Sequence, residues 1–546
     1  MPKTLVVAEK PSVARDLAGA LPGSFTQAKD KASLEGDDYV ITWAVGHLVG
    51  LAEPDKYDPK LKKWRFADLP IVPEKFKLVP NDDKAKKQLG VIHRQMARDE
   101  VETVINACDA GREGELIFAY VYETAKTKKP VQRLWLSSMT RRAIEEAFGQ
   151  LREGEEMRSL EDAARSRSEA DWVVGMNATR AASIRLRAAF DGAVSLGRVQ
   201  TPTLALVARR EVEIREFKPE PYWLVEALFA ASGERTYSAR YLGGKRIAED
   251  EASRIVEEAK GKSGVITKLE TKEETERPQL LYDLTSLQRH ANTLHGFSAR
   301  RTLSAAQKLY EEHKALTYPR TNSRFVTGDM IEEIKPIAEL VGHNPAYRKG
   351  AEYVVGLAEL PLGRVVNDAK VQDHHAIIPT KSEHDLSRMG ADELKVYDLV
   401  AKRFLAIFHP DAKFERTRVE TTVADHVFRT SGRVLVEAGW RSVYGEEART
   451  QDKPEDDSGG DQRLPKLEQG EDAETREMES LRKETQPPRR FTEASLLAAM
   501  ESAGKEIEDE ELREAMKDSG IGTPATRASI IERLISVAYI EREGRA

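Results

Sequence analysis

The chain's 546 residues carry 85 Lys and Arg against 92 Asp and Glu, a formal charge of −7, with 40% apolar residues and a single cysteine. This length suggests about two to five domains of roughly 100–200 residues, and lone Cys108 excludes both a disulfide framework and a four-thiolate zinc site. The longest run free of Asp, Glu, Lys and Arg is the 14 residues Tyr39 to Ala52, too short to cross a bilayer, and no secretion signal opens the chain, so a soluble cytoplasmic protein is expected.

The first segment reads as strand, turn and helix. Thr4 to Ala8 is a short β-branched run, and Pro11-Ser12 opens a helix carrying Val13, Leu17 and Leu21, with proline where its missing N–H costs little. Glu9 and Lys10 therefore sit at the carboxyl end of a strand. The layout repeats as a strand over Val101 to Ala107, a turn over Cys108 to Glu115 and a helix over Leu116 to Ala125. Strands alternating with helices imply a parallel sheet, whose ligands collect beyond the carboxyl ends of its strands. Glu9, Asp109 and Glu113 are thus expected in one crevice, as hard oxygen donors for Mg²⁺. Gly111 and Gly114 would let phosphate approach the backbone and the next helix N-terminus. A capped turn with surface carboxylates explains the same DAGREGE string.

Residues from about Glu155 to Ala189 read as helix, and Arg165, Arg167, Arg180, Arg185, Arg187 and Arg198 crowd this region. They suit a phosphate-binding groove or, equally, a solvated helix face. Ser195 to Pro202 begins another helix; Pro219 to about Gly264 reads as β-structure with a Gly243-Gly244 turn. From about Pro278 to Thr380 the pattern is mainly helical, with Ser298 capping a helix that bears Leu303, Ala306, Leu309 and Tyr310. A second β-rich stretch, Phe414 to Val443, precedes a polar segment from Gly445 to Arg463 that reads as a flexible loop. Glu446 to Ser480 holds 13 acidic and 5 basic residues, leaving 80 basic and 79 acidic elsewhere. Net acidity is therefore local and does not exclude a nucleic-acid partner. Helices return from Thr492, and Val537 to Ile540 looks strand-like. Two β-rich stretches flanking a helical unit suggest an insertion carried by a β-rich arch.

Within the helical unit, Thr317-Tyr-Pro-Arg-Thr-Asn-Ser323 is extended, because Pro319 biases Tyr318 away from the helix. A tyrosine beside the Arg320 guanidinium is suited to attack a phosphodiester, with the cation favouring phenolate and stabilising phosphorane charge. A packed turn tyrosine gives the same three residues. His374 and His375, in Asp373 to Thr380, suit phosphate contact, carboxylate positioning or a structural role; zinc has little support. Gly261-Lys262-Ser263 imitates a P-loop tail, but Val256 stands where the first glycine belongs, which argues against ATP-driven chemistry.

Taken in order, VVAEKPSVA, TWAVGHL, CDAGREGELI, RLWLSSMT, SRSEADWVVGMNATR, SLGRVQTPTL, LTSLQRHAN, LTYPRTNSRF, DHHAIIPT and GIGTPATRASII span nearly the whole chain. In these stretches the chain resembles the type IA DNA topoisomerases, most of all their bacterial topoisomerase III branch. The resemblance implies a multidomain α/β and mainly-α fold enclosing a toroidal hole. Its parts would be a Toprim domain with a doubly wound parallel sheet (1–154), a helical DNA-binding domain (155–218 and 486–546), a β-rich arch with an acidic loop (219–277 and 381–485) and a helical gate domain (278–380). It implies Tyr318 as nucleophile, with Glu9, Lys10, Arg320 and His374 as catalytic partners and Glu9, Asp109 and Glu113 as Mg²⁺ ligands. The family's middle acidic ligand is Gly111 here, and the aspartate usually two residues after the arginine is Asn322. Arg167, Asp171, Ser195, Arg198 and Gln200 fall on positions that contact single-stranded DNA, Gly197 falls on a hinge-like glycine, and C-terminal zinc modules of many relatives have no counterpart.

The function implied is ATP-independent breakage, strand passage and rejoining of single-stranded DNA through a 5′-phosphotyrosine, relaxing negative supercoils or decatenating DNA. Trp172 and the arginines would let unstacked bases thread a groove. A helper helicase or single-strand-binding protein, a monomeric state and a nucleoid location accompany this reading. A Toprim nuclease, a primase and a DNA-binding scaffold remain open at this point.

Overall fold

The computed structural model describes residues 2–544 except 30, 137–138, 189–191, 233–234, 245, 372–373, 446–462, 507–509, 511–512 and 514–519. The polar loop expected over Gly445 to Arg463 thus lies almost wholly outside the described residues, as do Asp373, Ser137 and Ser138.

The N-terminal domain has strands Lys3–Ala8 (β1), Thr26–Gln27 (β2), Ser33–Glu35 (β3), Tyr39–Trp43 (β4), Val49–Leu51 (β5), Leu78–Pro80 (β6), Val101–Ala107 (β7), Val131–Arg133 (β8) and Arg152–Glu153 (β9). Its helices are Pro11–Ala20 (α1), Asp83–Met96 (α2), Arg112–Ala125 (α3) and Arg141–Phe148 (α4). Seven strands form one sheet in the order β2-β3-β4-β1-β7-β8-β9. The central four, β4, β1, β7 and β8, are parallel, while the edges are antiparallel. In β1, Leu5 and Val7 enter one apolar cluster with α2 and α3, whereas Val6 and Ala8 enter another with α1 and α4. Alternation of the strand therefore builds a core on each face, which is why β1 is apolar from Leu5 to Ala8.

One boundary differs from the sequence reading. Helix α3 begins at Arg112, not Leu116, with Gly111 as its extended N-cap residue and Glu113 and Glu115 in its first turn. Carboxylates at a helix N-terminus are favoured by the peptide dipoles, which overrides the glycine-rich look of the turn.

The chain continues through Arg158–Arg185 (α5) and Gln200–Glu216 (α6) into a closed antiparallel barrel. Its strands are Pro221–Ala231 (β10), Arg235–Tyr241 (β11), Ser263–Glu276 (β12), Ala412–Val423 (β13), His426–Glu437 (β14) and Asp472–Glu484 (β15), in the order β10-β11-β14-β13-β12-β15. Helix Glu249–Ala259 (α7) interrupts what the sequence suggested was continuous β-structure. Three acids in its first turn and buried Ala252, Ile255 and Ala259 at helical spacing explain it.

Between β12 and β13 lies the helical unit: Leu284–His295 (α8), Ala299–Glu311 (α9), Ile334–Gly342 (α10), Arg348–Gly356 (α11) and Ala391–Ala406 (α12). Ser298 caps α9 by accepting from the Arg301 amide at 3.1 Å. Val396, Val400, Phe404 and Phe408 of α12 and its end share one core with Leu287, Leu309 and Val341. The unit therefore extends to about residue 409 rather than stopping at Thr380, because α12's apolar residues close its core. Helices Glu493–Ser502 and Pro524–Ser536 join α6 in a separate cluster containing Leu496, Leu497, Met500, Ile531, Leu206 and Val207, to which Ala299 of α9 contributes. Val537 to Ile540 is a turn, not a strand, with Ala538 at φ 57°.

The chain path closes on itself. The barrel carries the helical unit, which returns to the N-terminal domain through Tyr318 and His374 and through Thr140 Oγ1 donating to Asp329 Oδ2 at 2.9 Å. N-terminal domain, α5–α6, barrel and helical unit thus make a ring, the toroidal multidomain fold expected. Among the described residues no helix is long and apolar enough to cross a membrane.

Candidate active site

Four segments converge where the helical unit meets the carboxyl ends of β1 and β7. Lys10, extended at φ −135° and ψ 150° before Pro11, turns its side chain across the end of β1. At the end of β7, Arg133 of β8 grips the loop. Its guanidinium donates to the carbonyls of Asn106 (3.0 Å), Cys108 (2.8 Å), Asp109 (2.7 Å) and Leu134 (2.7 Å), and it pairs with Glu115. Gly114 completes the fit, since a Cβ there would stand 2.1 Å from the Asp109 carbonyl oxygen.

Lys10 is the hub. Its Nζ donates to Asp109 Oδ2 at 2.6 Å, lies 3.3 Å from Glu9 Oε1 and sits 4.0 Å from the centre of the Tyr318 ring. The Asp109 amide donates to Glu9 Oε2 at 3.3 Å, and His374 Nε2 lies 3.1 Å from Asp109 Oδ2. The His374 ring packs 4.5 Å from that of Tyr318, with Tyr310 edge-on at 5.4 Å. Thr321 Oγ1 donates to the His374 carbonyl at 2.7 Å, tying the tyrosine loop to the histidine loop. Tyr318 and Glu9, 309 positions apart, therefore share one pocket.

The electrostatics divide the roles. Burial pushes the Glu9 carboxyl up, and the neighbouring Asp109 charge adds to it against Lys10. Asp109 behaves oppositely: against its burial, hydrogen bonds from His374 and Lys10 hold it well below the usual carboxylate range. Lys10 is desolvated, yet Asp109, Tyr318 and Glu9 together raise it, so it remains an ammonium. Burial also raises the Tyr318 phenol, with Lys10 opposing, so the resting hydroxyl is protonated. Arg320 is half-buried and, among the described residues, makes no hydrogen bond or ion pair.

Glu113 takes a different partner. It meets His47 Nε2 at 2.6 Å, with Arg167 also lowering its pKa, and among the described residues no three His, Cys, Asp or Glu side chains form a metal-holding group. The structure thus joins Glu9 to Asp109 but leaves Glu113 outside that pair. The Glu113 hydrogen bond is the main cause that raises the His47 pKa, against desolvation. A group whose folded pKa is raised contributes stability fully present below its unfolded value, near 6.5, and lost as pH rises through the folded value. We expect an NMR titration of His47 to show this upward shift, and Glu113→Gln to return it towards 6.5.

The residues suggested for DNA line α5 and the start of α6. Arg198 Nη2 donates to Asp171 Oδ2 at 3.1 Å on an exposed face, and Ser195 Oγ donates to Gln200 Oε1 at 3.4 Å. Arg167 stands near Glu113. The wider arginine cluster divides. Arg165 pairs with Glu161 and Glu123, and buried Arg180 donates to the Leu61 carbonyl, so these two hold structure. Trp172 is half-buried: its indole donates to the Ala52 carbonyl at 3.1 Å, and its ring meets Tyr57 and Phe76 in edge-on contacts at 6.0 and 5.6 Å, which ties it into the fold. Sequence reasoning gave Arg133 and His47 no role, although both lie in the quoted RLWLSSMT and TWAVGHL stretches. Their partners come from distant segments, which short patterns do not reveal.

A family model described as DNA topoisomerase matches residues 155–546, and one described as Toprim domain matches residues 4–139. Over the whole chain it is 42% identical to DNA topoisomerase 3 of Bacillus subtilis, covering 74% of that protein. The chain belongs to the type IA DNA topoisomerases. The topoisomerase 3 of Shouchella clausii is likewise 42% identical, with 73% of its length covered. Full-length topoisomerase I from Thermotoga maritima shares the topoisomerase fold at a TM-score of 0.67 and 24% identity, over 99% of this chain and 80% of that one.

Proposed function

We propose that Tyr318 is the nucleophile of a single-strand DNA breakage and rejoining reaction, and that Glu9, Lys10, Asp109, Arg320 and His374 form its pocket. The observation that carries this reading is the contact of Lys10 with both Tyr318 and Asp109 across the domain junction. As the phenol oxygen bonds to phosphorus and the P–O3′ bond breaks, one proton passes from the phenol to the 3′ oxygen. Glu9, whose carboxyl burial shifts upward, carries that proton. Lys10 stabilises growing phenolate charge, Arg320 meets the phosphorane, and His374 fixes Asp109 and the ring. One phosphodiester replaces another, so rejoining needs no ATP, in keeping with the missing P-loop glycine at Val256. Opening the junction between helical unit and N-terminal domain then admits another strand, for relaxation of negative supercoils or decatenation.

Toprim domains are metal sites, and the two buried carboxylates Glu9 and Asp109 suit Mg²⁺, which commonly takes one or two carboxylates plus water and substrate phosphate. Burial raises the Glu9 carboxyl and the Asp109 charge adds to it, a like-charge pressure that a bound cation would relieve. When bound, Mg²⁺ would help neutralise the scissile phosphate, and Glu113 would join its ligands on leaving His47. Arg167, Asp171, Ser195, Arg198 and Gln200 would hold the flanking strand. One chain bears every catalytic group, which supports a monomer; a helicase or single-strand-binding protein would supply unpaired DNA in the cytoplasm.

Incubating the protein with end-labelled single-stranded DNA and Mg²⁺, then denaturing, tests this reading. The expected result is a covalent adduct through a 5′-phosphate on the Tyr318 peptide, located by mass spectrometry. Free nicked ends would point to a nuclease, and intact DNA to a scaffold. Lys10→Met should slow adduct formation on the order of 10²- to 10³-fold and raise the Tyr318 pKa further, since the opposing cation is gone. Single-turnover cleavage against pH reads both effects.

A further inference from the structure

We infer that Trp64 and Phe66 form a second, outlying platform for single-stranded DNA, on which bases stack after the strand leaves the catalytic pocket along α5. The inference rests on the reading above that the substrate is single-stranded DNA. The segment between β5 and β6 lies along α5: the Ile71 amide donates to Asn177 Oδ1 at 2.6 Å, and Arg180 reaches the Leu61 carbonyl at 2.7 Å. At its tip, Trp64 and Phe66 remain 36% and 47% exposed although both are large apolar rings. Each carries a guanidinium from α5. Arg180 lies 5.2 Å from the Trp64 centroid, and Arg185 lies 4.5 Å from that of Phe66.

Placement makes the platform continuous with the strand path. Arg167 and Arg185 are 18 residues apart, five turns at about 3.6 residues each, so they share one face of α5 roughly 27 Å apart. That face starts beside Glu113 and ends at Phe66. Lys60, Lys62 and Lys63, next to the rings in sequence, and Arg187, two residues beyond Arg185, are exposed; of the nearby acids, Asp68 pairs with Arg65, and Asp58 accepts from the Lys60 amide. Glu53, Asp55 and Asp68 act on Arg180. A ring backed by guanidinium and rimmed by lysines matches the chemistry of sequence-tolerant single-strand binding, in which bases stack and phosphates meet cations. Trp172, half-buried against Tyr57 and Phe76, lies apart from these rings.

Fluorescence anisotropy with two labelled oligonucleotides tests this: one of about 8 nucleotides that fills only the catalytic groove, and one of about 20 that reaches the platform. Trp64→Ala and Phe66→Ala should each weaken the long oligonucleotide about tenfold and leave the short one within about twofold, while Trp64→Phe restores affinity. Lys62→Gln should flatten the salt dependence for the long oligonucleotide alone. Equal losses on both oligonucleotides, or none on the long one, would overturn the inference. Should Trp64→Ala lower the melting temperature, Phe66→Ala and photocross-linking of a 5-iododeoxyuridine oligonucleotide to Trp64 or Phe66 carry the test. A length-dependent loss without any covalent adduct would sink the Tyr318 mechanism and leave the platform standing.

Discussion

Replacing Tyr318 with phenylalanine is expected to abolish the DNA–protein adduct and all strand breakage, while leaving the fold and single-strand affinity close to those of the unaltered protein. The substitution removes only the hydroxyl. The ring keeps its packing against His374 at 4.5 Å, Tyr310 at 5.4 Å and the Lys10 ammonium at 4.0 Å. What disappears is the oxygen that bonds to phosphorus, and no neighbouring group takes its place as nucleophile. Tyr310 provides the control. Its hydroxyl lies 3.5 Å from Ser12 Oγ, at the limit of a hydrogen bond, so Tyr310→Phe should retain adduct formation. The measurement is denaturing electrophoresis of labelled DNA with thermal unfolding in parallel. An adduct of undiminished yield in Tyr318→Phe would dismiss this tyrosine as the nucleophile.

The second large effect concerns stability. Arg133→Met should cost about 3–5 kcal/mol, because it strands Glu115 as a buried charge without its partner. Arg133 is 1% exposed, and burial already pushes the Glu115 carboxyl up against the pull of Arg133. The same change removes the side-chain donor to the carbonyls of Cys108 and Leu134, leaves the Asn106 carbonyl with only the Leu134 amide, and frees the loop that carries Asp109. Pairing it with Glu115→Leu should recover much of the loss, since replacing both charges with apolar groups is often close to neutral. Urea denaturation of the single and double variants reads this directly. A loss below about 1 kcal/mol in Arg133→Met would show that the loop is held by other contacts.

Some of this architecture was written in short sequence patterns, and the reason is that those patterns report short-range physics. The apolar runs at Thr4 to Ala8 and Val101 to Ala107 became neighbouring parallel strands β1 and β7, and Ser298 caps α9 as its hydroxyl chemistry suggests. Glu9 and Asp109 came together because both follow such strands, and the strands' carboxyl ends lie side by side. The missed helix α7 also had a local signature, its acidic first turn, which the adjoining Gly243-Gly244 pair obscured.

What tertiary structure alone decided is the company each side chain keeps. Tyr318 as a string is an extended tyrosine before a proline; only the docking of the helical unit sets it against Lys10 and desolvates its phenol. Trp172, suited as a string to base stacking, is half-buried against Tyr57 and Phe76, over ninety residues upstream, whereas Trp64 and Phe66 stayed more open. Glu113, expected in a turn, lies in the first turn of α3 and pairs with His47, and α12 was drawn into the core of the helical unit. Backbone preferences and caps act over a few residues and are legible in order along the chain. Burial, charge pairing and the pKa of a nucleophile depend on atoms that only folding brings within a few ångströms.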